Sequence, residues 1–371
     1  MNEELKKRIK DIFENFDKGQ EDPRLLVLGA TGVGKSSLIN ALVGMKVNAV
    51  NTVASTTRDF RSNTVTMPDG ARLVIVDSPG YGEVGHDAEY SSEVVKEAAR
   101  VHAIILVLKA DEKGYERDLS IIGKMTKDPS LPAEKPLLIV LNQIDKIKPS
   151  REWKPPYDIN GPVGANAPEK LRNMREKVDL VRKQFSSVLA GRTCTILPTM
   201  SDEDEGETFG IDTFKRELFS VLPDVAKYRY ASIAKLAAED MEGEADKVIR
   251  IAAVAAAGVV LANPVPASDF VVLVPIQVAM VIKVGAIYGK RLDAQTSLET
   301  LTAMGAGFGA RSVFQGLISL FPGVKNFIGP PYAAAATHGM GVVAKRYFKT
   351  GMMPSQKEIE KEVQRVAKER S

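Results

Sequence analysis

One eight-residue stretch, Gly29-Ala30-Thr31-Gly32-Val33-Gly34-Lys35-Ser36, limits the folds open to this chain more than any other. It fits the pattern G-x-x-x-x-G-K-[ST] at every fixed position. The apolar run 24–28 precedes it, and a helix-like run, 37–44, follows. Strand, glycine turn and helix in that order predict an α/β unit with its loop at the carboxyl end of a strand. The glycines let successive backbone N–H groups turn inward, and the helix start adds partial positive charge. Together they form a cradle for phosphate oxygens. Lys35 is placed to reach the outer phosphates. The Ser36 hydroxyl is placed to ligate Mg²⁺, and Ser37 completes the set of loop residues expected around a nucleotide.

Three further segments narrow the ligand. Asp77-Ser78-Pro79-Gly80 ends the apolar run 71–76. Its carboxylate suits a Mg²⁺ water shell, and Gly80 allows its backbone N–H to approach a γ-phosphate closely. Asn142-Gln143-Ile144-Asp145 ends another apolar run, 136–141. The Asp145 carboxylate can accept from both N1–H and the exocyclic amine of guanine. Adenine would leave it unpaired. Between them lies Ser55-Thr56-Thr57-Arg58-Asp59. Thr57 is placed to cap Mg²⁺ when a γ-phosphate is present. These residues predict a GTP/GDP site with Mg²⁺ on Ser36, Thr57 and Asp77, and Lys35, Thr57 and Gly80 next to the chemistry.

The segment from Gly29 to about Leu222 resembles the Era/TrmE-type GTPases. The run Gly-Lys-Ser-Ser-Leu-Ile-Asn-Ala-Leu at 34–42 and Thr-Thr-Arg-Asp at 56–59 carry that resemblance. The loop spelling Gly-x-Thr-Gly-x-Gly-Lys-Ser also resembles the immunity-related GTPases and their bacterial relatives. The resemblance implies a P-loop GTPase fold and GTP hydrolysis. Three departures stand out. Gln143 replaces the usual Lys, whose stem covers the base. Pro198-Thr199-Met200-Ser201 is a degenerate form of the last guanine element, so Met200 and Ser201 are expected near the base. Gly32 stands where potassium-activated members have Asn. Tyr81 occupies the place of the water-orienting Gln of Ras-like GTPases. Slow intrinsic turnover follows, on the order of 10⁻⁴–10⁻² s⁻¹. Glu83, His86 and Glu89 are further candidates to orient the reacting water, with a solvated loop role suiting His86 as well, and Arg58 suits either neutralisation of transition-state charge or a surface switch role.

The chain has 371 residues, enough for two domains of ordinary size. With 50 basic and 47 acidic residues its net charge is +3, too balanced to argue for a nucleic-acid partner. After residue 223 no RNA clamp or stacking motif is evident, which disfavours an RNA or ribosome assembly role. A single Cys, Cys194, excludes an intrachain disulfide framework and reads as core packing. No secretory signal is visible at the start, and a site for cellular GTP predicts a cytoplasmic place, with the cytosolic face of a membrane as the alternative.

Three regions are expected. Residues 1–19 read as an amphipathic helix, with Leu5, Ile9, Ile12, Phe13 and Phe16 on one face. Residues 20–222 alternate strands and helices, a doubly wound, mainly parallel sheet in which Pro68-Asp69-Gly70 turns the one antiparallel pair. The polar, proline-rich insertion 148–168 carries Trp153 and Tyr157, which suit either a partner contact or a cover for the domain's own surface. The acidic run 201–207 reads as solvated.

Residues 223–371 read as an all-α domain rich in apolar hairpins. The stretch 231–248 is helical in pattern. The charge-free run 251–268 breaks at Asn263-Pro264-Val265-Pro266, and a second apolar run, 270–282, follows. These apolar pieces, 12 and 13 residues long, are short for a span of about 20. They fit a soluble bundle, they also fit peripheral or re-entrant membrane contact through the hairpin, and they fit a true span least. Residues 230–350 resemble a bacterial helical domain of unknown function found behind GTPase domains and in some inner-membrane proteins. A homodimer is compatible with the same features by analogy alone.

Overall fold

The computed structural model describes the chain apart from residues 1–6, 8–10, 13, 17, 45–51, 55–59, 69, 79–86, 162–163, 165–166, 190, 193–194, 202–206, 237, 263–268, 291–329 and 353–371. The chain divides into two compact units. One is Asp22–Ala234, and the other joins Met1–Glu21 to Lys235–Ser371.

In Asp22–Ala234 a seven-stranded sheet has the order β2-β3-β4-β1-β5-β6-β7. Its strands are β1 Arg24–Leu28, β2 Thr52–Ala54, β3 Arg61–Thr66, β4 Arg72–Asp77, β5 Ala103–Lys109, β6 Leu137–Asn142 and β7 Thr195–Pro198. The run β4-β1-β5-β6-β7 is parallel. Strands β5 and β6 read AIILVLK and LLIVLN and are buried almost end to end, the pattern of strands covered on both faces. The connecting helices are α1 Lys35–Val43, α2 Asp87–Arg100, α3 Glu116–Lys127, α4 Glu169–Ser186 and α5 Ile211–Val221. The mainly parallel α/β fold expected from the sequence is the observed one.

Two expectations are corrected here. The sequence implied one antiparallel pair, but β2 pairs antiparallel with β3 as well as β3 with β4, and a small hairpin joins β8 Met200–Ser201 to β9 Thr208–Phe209. Two- and three-residue strands carry too little alternation to be read in advance. The boundary expected at 222/223 lies instead after Ala234. Helix α6, Asp224–Ala234, packs on α5, α1 and β4 and buries Ala226, Tyr230, Ile233 and Ala234. Arg229 reaches Asp22 at 2.7 Å.

In the helical unit, the described residues between 7 and 18 are helical, as expected for the N-terminal segment. The helix expected at 231–248 is interrupted at Lys235, whose φ is 48°. Helix α7 then runs unbroken from Ala238 to Ala262. It packs against α8, Asp269–Ile287, and α9, Pro330–Thr350. The turn expected at 263–266 lies outside the described residues. Gly341 of α9 marks a close approach, because a Cβ there would sit 2.5 Å from Ile249 Cγ1 and 3.0 Å from Met280 Sδ. Toward one end, Asp246 meets Lys345 and Glu242 meets Lys349 across α7 and α9, at 2.7 and 2.6 Å. Farther along, Gln277 donates to the buried Thr337 hydroxyl at 3.2 Å.

Candidate nucleotide-binding site

Strand β1 delivers the loop 29–36 to the start of α1. Gly34 caps that helix with φ 90°, a conformation that favours glycine, and its Cβ would meet Asn142 Nδ2 at 2.3 Å. Gly29 is equally constrained, since a Cβ would lie 2.5 Å from the Val107 carbonyl oxygen. The first turn of α1 holds no acidic residue, so its positive end is left for an anion. Ala30, Thr31, Gly32, Ser36 and Ser37 lie on the accessible side of the loop, whereas Val33 is buried. The Lys35 ammonium donates to the Gly29 and Ala30 carbonyls at 3.0 and 3.2 Å, folded over its own loop.

Asp77 ends β4 beside this loop, because Val27 of β1 is its register partner. Burial raises its carboxyl pKa, while the charges of Lys35 and Arg61 pull it down. Its Oδ1 is buried without a hydrogen-bond partner. An orphaned carboxylate oxygen beside the phosphate loop fits a hard, oxygen-seeking cation such as Mg²⁺. Among the described residues no group of three or more His, Cys, Asp or Glu converges as a metal cage. Mg²⁺ is held by one or two carboxylates and keeps several waters, so a single carboxylate such as Asp77 suits it.

The base-side residues come from the end of β6. Asn142 is 2% exposed. Its amide donates to the Val33 carbonyl at 2.9 Å, and its carbonyl accepts from the Thr199 hydroxyl at 3.1 Å. One side chain thus ties the phosphate loop to the loop after β7. Gln143, at φ 59°, donates to the Gly32 carbonyl at 3.1 Å and accepts from Lys146 at 2.7 Å. Asp145 is half-buried in a 3₁₀ turn, Ile144–Lys146, anchored where Ile144 N–H donates to the Thr199 carbonyl at 3.1 Å. The structure therefore brings together residues 29–37, Asp77, Asn142, Gln143 and Asp145. Met200 is buried in the hydrophobic core, and Ser201 pairs with Thr208 in the small hairpin. The residue of this segment that holds the base loop is Thr199. Thr57 and Gly80 lie outside the described residues, as do Arg58, Tyr81, Glu83 and His86.

Two family models match the chain. Residues 24–143 match the family described as 50S ribosome-binding GTPase, and residues 230–371 match a domain of unknown function, DUF697. The sheet unit is a P-loop GTPase domain. GTPase Era of Aquifex aeolicus is 32% identical over 139 residues, 36% of this chain and 44% of that protein. GTPase Der of Staphylococcus epidermidis is 29% identical over 207 residues, 52% of this chain and 44% of that protein. A crystal structure of Aquifex aeolicus Era bound to GDP.AlF4- shares 22% identity over 54% of this chain and 56% of that one, with a TM-score of 0.35. The chain spans about half the length of the curated relatives it matches.

Two contributors to the GTPase domain's site escape a reading of motifs. Thr199 stands where the family spelling is lost, and the hydroxyl at a strand end was the available signal. Lys170 is 0% exposed in the first turn of α4, and no sequence pattern marks it. In the insertion 148–168, Trp153 and Tyr157 cover their own domain. The Trp153 ring stands 5.3 Å from both Tyr157 and Phe209, and all three pack on the core of the sheet.

Proposed function

We propose that the GTPase domain binds GTP and GDP with Mg²⁺, hydrolyses GTP slowly, and acts as a switch read out through the helical unit. Backbone N–H groups of the loop 29–36, the start of α1 and Lys35 would hold the phosphates. Ser36 and Asp77, with Thr57 as the sequence assigns it, would hold the cation, which supplies charge neutralisation on the phosphates when bound. Asp145 would read the base through its two-acceptor carboxylate. The observation that carries this reading is the Asn142 side chain. It bonds at once to Val33 in the phosphate loop and to Thr199 behind the base loop, so that both recognition elements form one preorganised unit.

Calorimetry with GDP and GTP in the presence of Mg²⁺ tests the proposal, and absence of uptake of both would end it. Asp145→Asn sharpens the test, because an amide offers a donor where guanine needs an acceptor. Affinity for GTP should fall by about 100-fold or more while xanthosine triphosphate gains. A variant that still prefers GTP at the parent rate would remove Asp145 from base recognition.

One observation favours membrane contact by the helical unit as a second reading. The outward side of α7 carries Lys247 and Arg250, then turns apolar: Ile251, Val254 and Leu261 are 70%, 68% and 75% exposed, and 251–262 holds no charge. Among the described residues no helix is long and apolar enough to cross a membrane, so the contact would be peripheral. Basic stems at the edge of an apolar stripe suit anionic headgroups. Flotation with anionic vesicles should carry the protein upward, and Ile251→Asp with Val254→Asp should leave it at the bottom. Equal behaviour of parent and variant would dismiss this reading.

A further inference from the structure

Lys170 is the least expected charge in the molecule. A fully buried ammonium is costly, and the first turn of a helix, with its positive dipole end, is an unfavourable place for one. The surrounding backbone offsets that cost. The ammonium donates to the carbonyls of Asp145, Ile147 and Pro149, at 2.5, 2.6 and 3.3 Å. Three donors meet three acceptors, so the group is fully satisfied. All three acceptors lie on the segment that leaves the base loop, within five residues. The Trp153 ring closes the site from the side, 5.5 Å from the ammonium. Burial lowers the pKa of Lys170, opposed by the nearby carboxylates of Asp145 and Glu152. Apolar packing would stabilise such a spot as well or better, which leaves geometry as the benefit of keeping the charge.

We propose that Lys170 is the positioning residue for base recognition: it clamps the Asp145 backbone so that the Asp145 carboxylate meets the guanine edge without reordering the loop. This inference rests on the nucleotide-binding reading above. Its specific consequence concerns discrimination. Hypoxanthine keeps N1–H but lacks the exocyclic amine, so the ratio of GDP to IDP affinity reports how well Asp145 is aimed. The phosphate contacts, common to both ligands, cancel in that ratio.

The test uses the full chain, with Lys170→Met as the variant of similar length and Lys170→Gln as one that keeps an N–H donor. GDP affinity should fall ~10–100-fold in Lys170→Met while IDP affinity falls by much less, so the ratio collapses. With GTP, KM should rise with kcat nearly unchanged, because no transition-state contact is removed. Lys170→Gln should fall between parent and Lys170→Met. A folded Lys170→Met that keeps the parent ratio within twofold overturns the proposal. So does failure of both variants to fold even when saturated with GDP, since Lys170 would then be a post for the whole fold. A parent protein that binds neither GDP nor IDP would instead sink the nucleotide reading itself, and the two failures are told apart at that first step.

Discussion

At the scale of single residues, the site is built from side chains that bond to backbone more than to each other. Asn142, Gln143 and Lys170 all reach carbonyls, and Lys35 rests on two. Asp77 is the exception, with one buried oxygen unpartnered. Its pKa lies above the ordinary 3.8 because burial outweighs the attraction of Lys35 and Arg61. A carboxyl whose folded pKa is raised favours folding most below its unfolded pKa, and that contribution is lost as pH rises through the folded pKa. In EDTA and without nucleotide, Asp77→Asn should therefore melt above the parent near pH 7 and match it near pH 4. The same variant should lose the gain in GDP affinity that Mg²⁺ gives the parent. Scanning calorimetry at both pH values, followed by GDP titrations with and without Mg²⁺, measures both effects. A variant that melts lower near pH 7 would mean that Asp77 is paired by a group in the folded protein.

At the scale of elements, legibility followed the length and period of the pattern. Residues 24–28 and 136–141 announced β1 and β6 because they are continuous apolar runs ending in polar motif residues. The phosphate loop was legible in full, since its spelling encodes its backbone: Gly34 at φ 90° can be little else. The place of Asp145 just after β6 was legible from its motif. Thr199 and Lys170 were not, because their roles depend on long-range approach. Lys170 lies 25 residues from the carbonyl of Asp145 that it holds. Helix α7 misled in another way. The loss of charge after Arg250 looked like the start of a new element, yet the hydrogen-bonded helix continues through it. What changes there is the exposed face, which turns from charged to apolar, and composition alone cannot separate a change of surroundings from a change of backbone.

At the scale of the whole chain, the division after Ala234 has a consequence for stability. The sequence put the end of the GTPase domain at Leu222, where the family resemblance stops. Yet α6 belongs to the sheet unit. Tyr230 is completely buried and its hydroxyl approaches the Lys215 carbonyl, while Arg229 and Arg72 both hold Asp22 just before β1. Removing α6 would take away Tyr230 and Ile233 and expose the surfaces of α1, α5 and β4 that they cover. At ~1.5–3 kcal/mol for each large side chain buried, that loss rivals the net stability of an ordinary domain, about 5–15 kcal/mol. A fragment of residues 22–234 should fold cooperatively and bind GDP with the affinity of the full chain. A fragment of residues 22–222 should melt at least ~10 °C lower or fail to stay soluble. Thermal melts of the two fragments, with and without GDP, decide the matter. Equal melting temperatures would mean that α6 merely rests on the sheet, and the domain would then end at Leu222, where the resemblance stops.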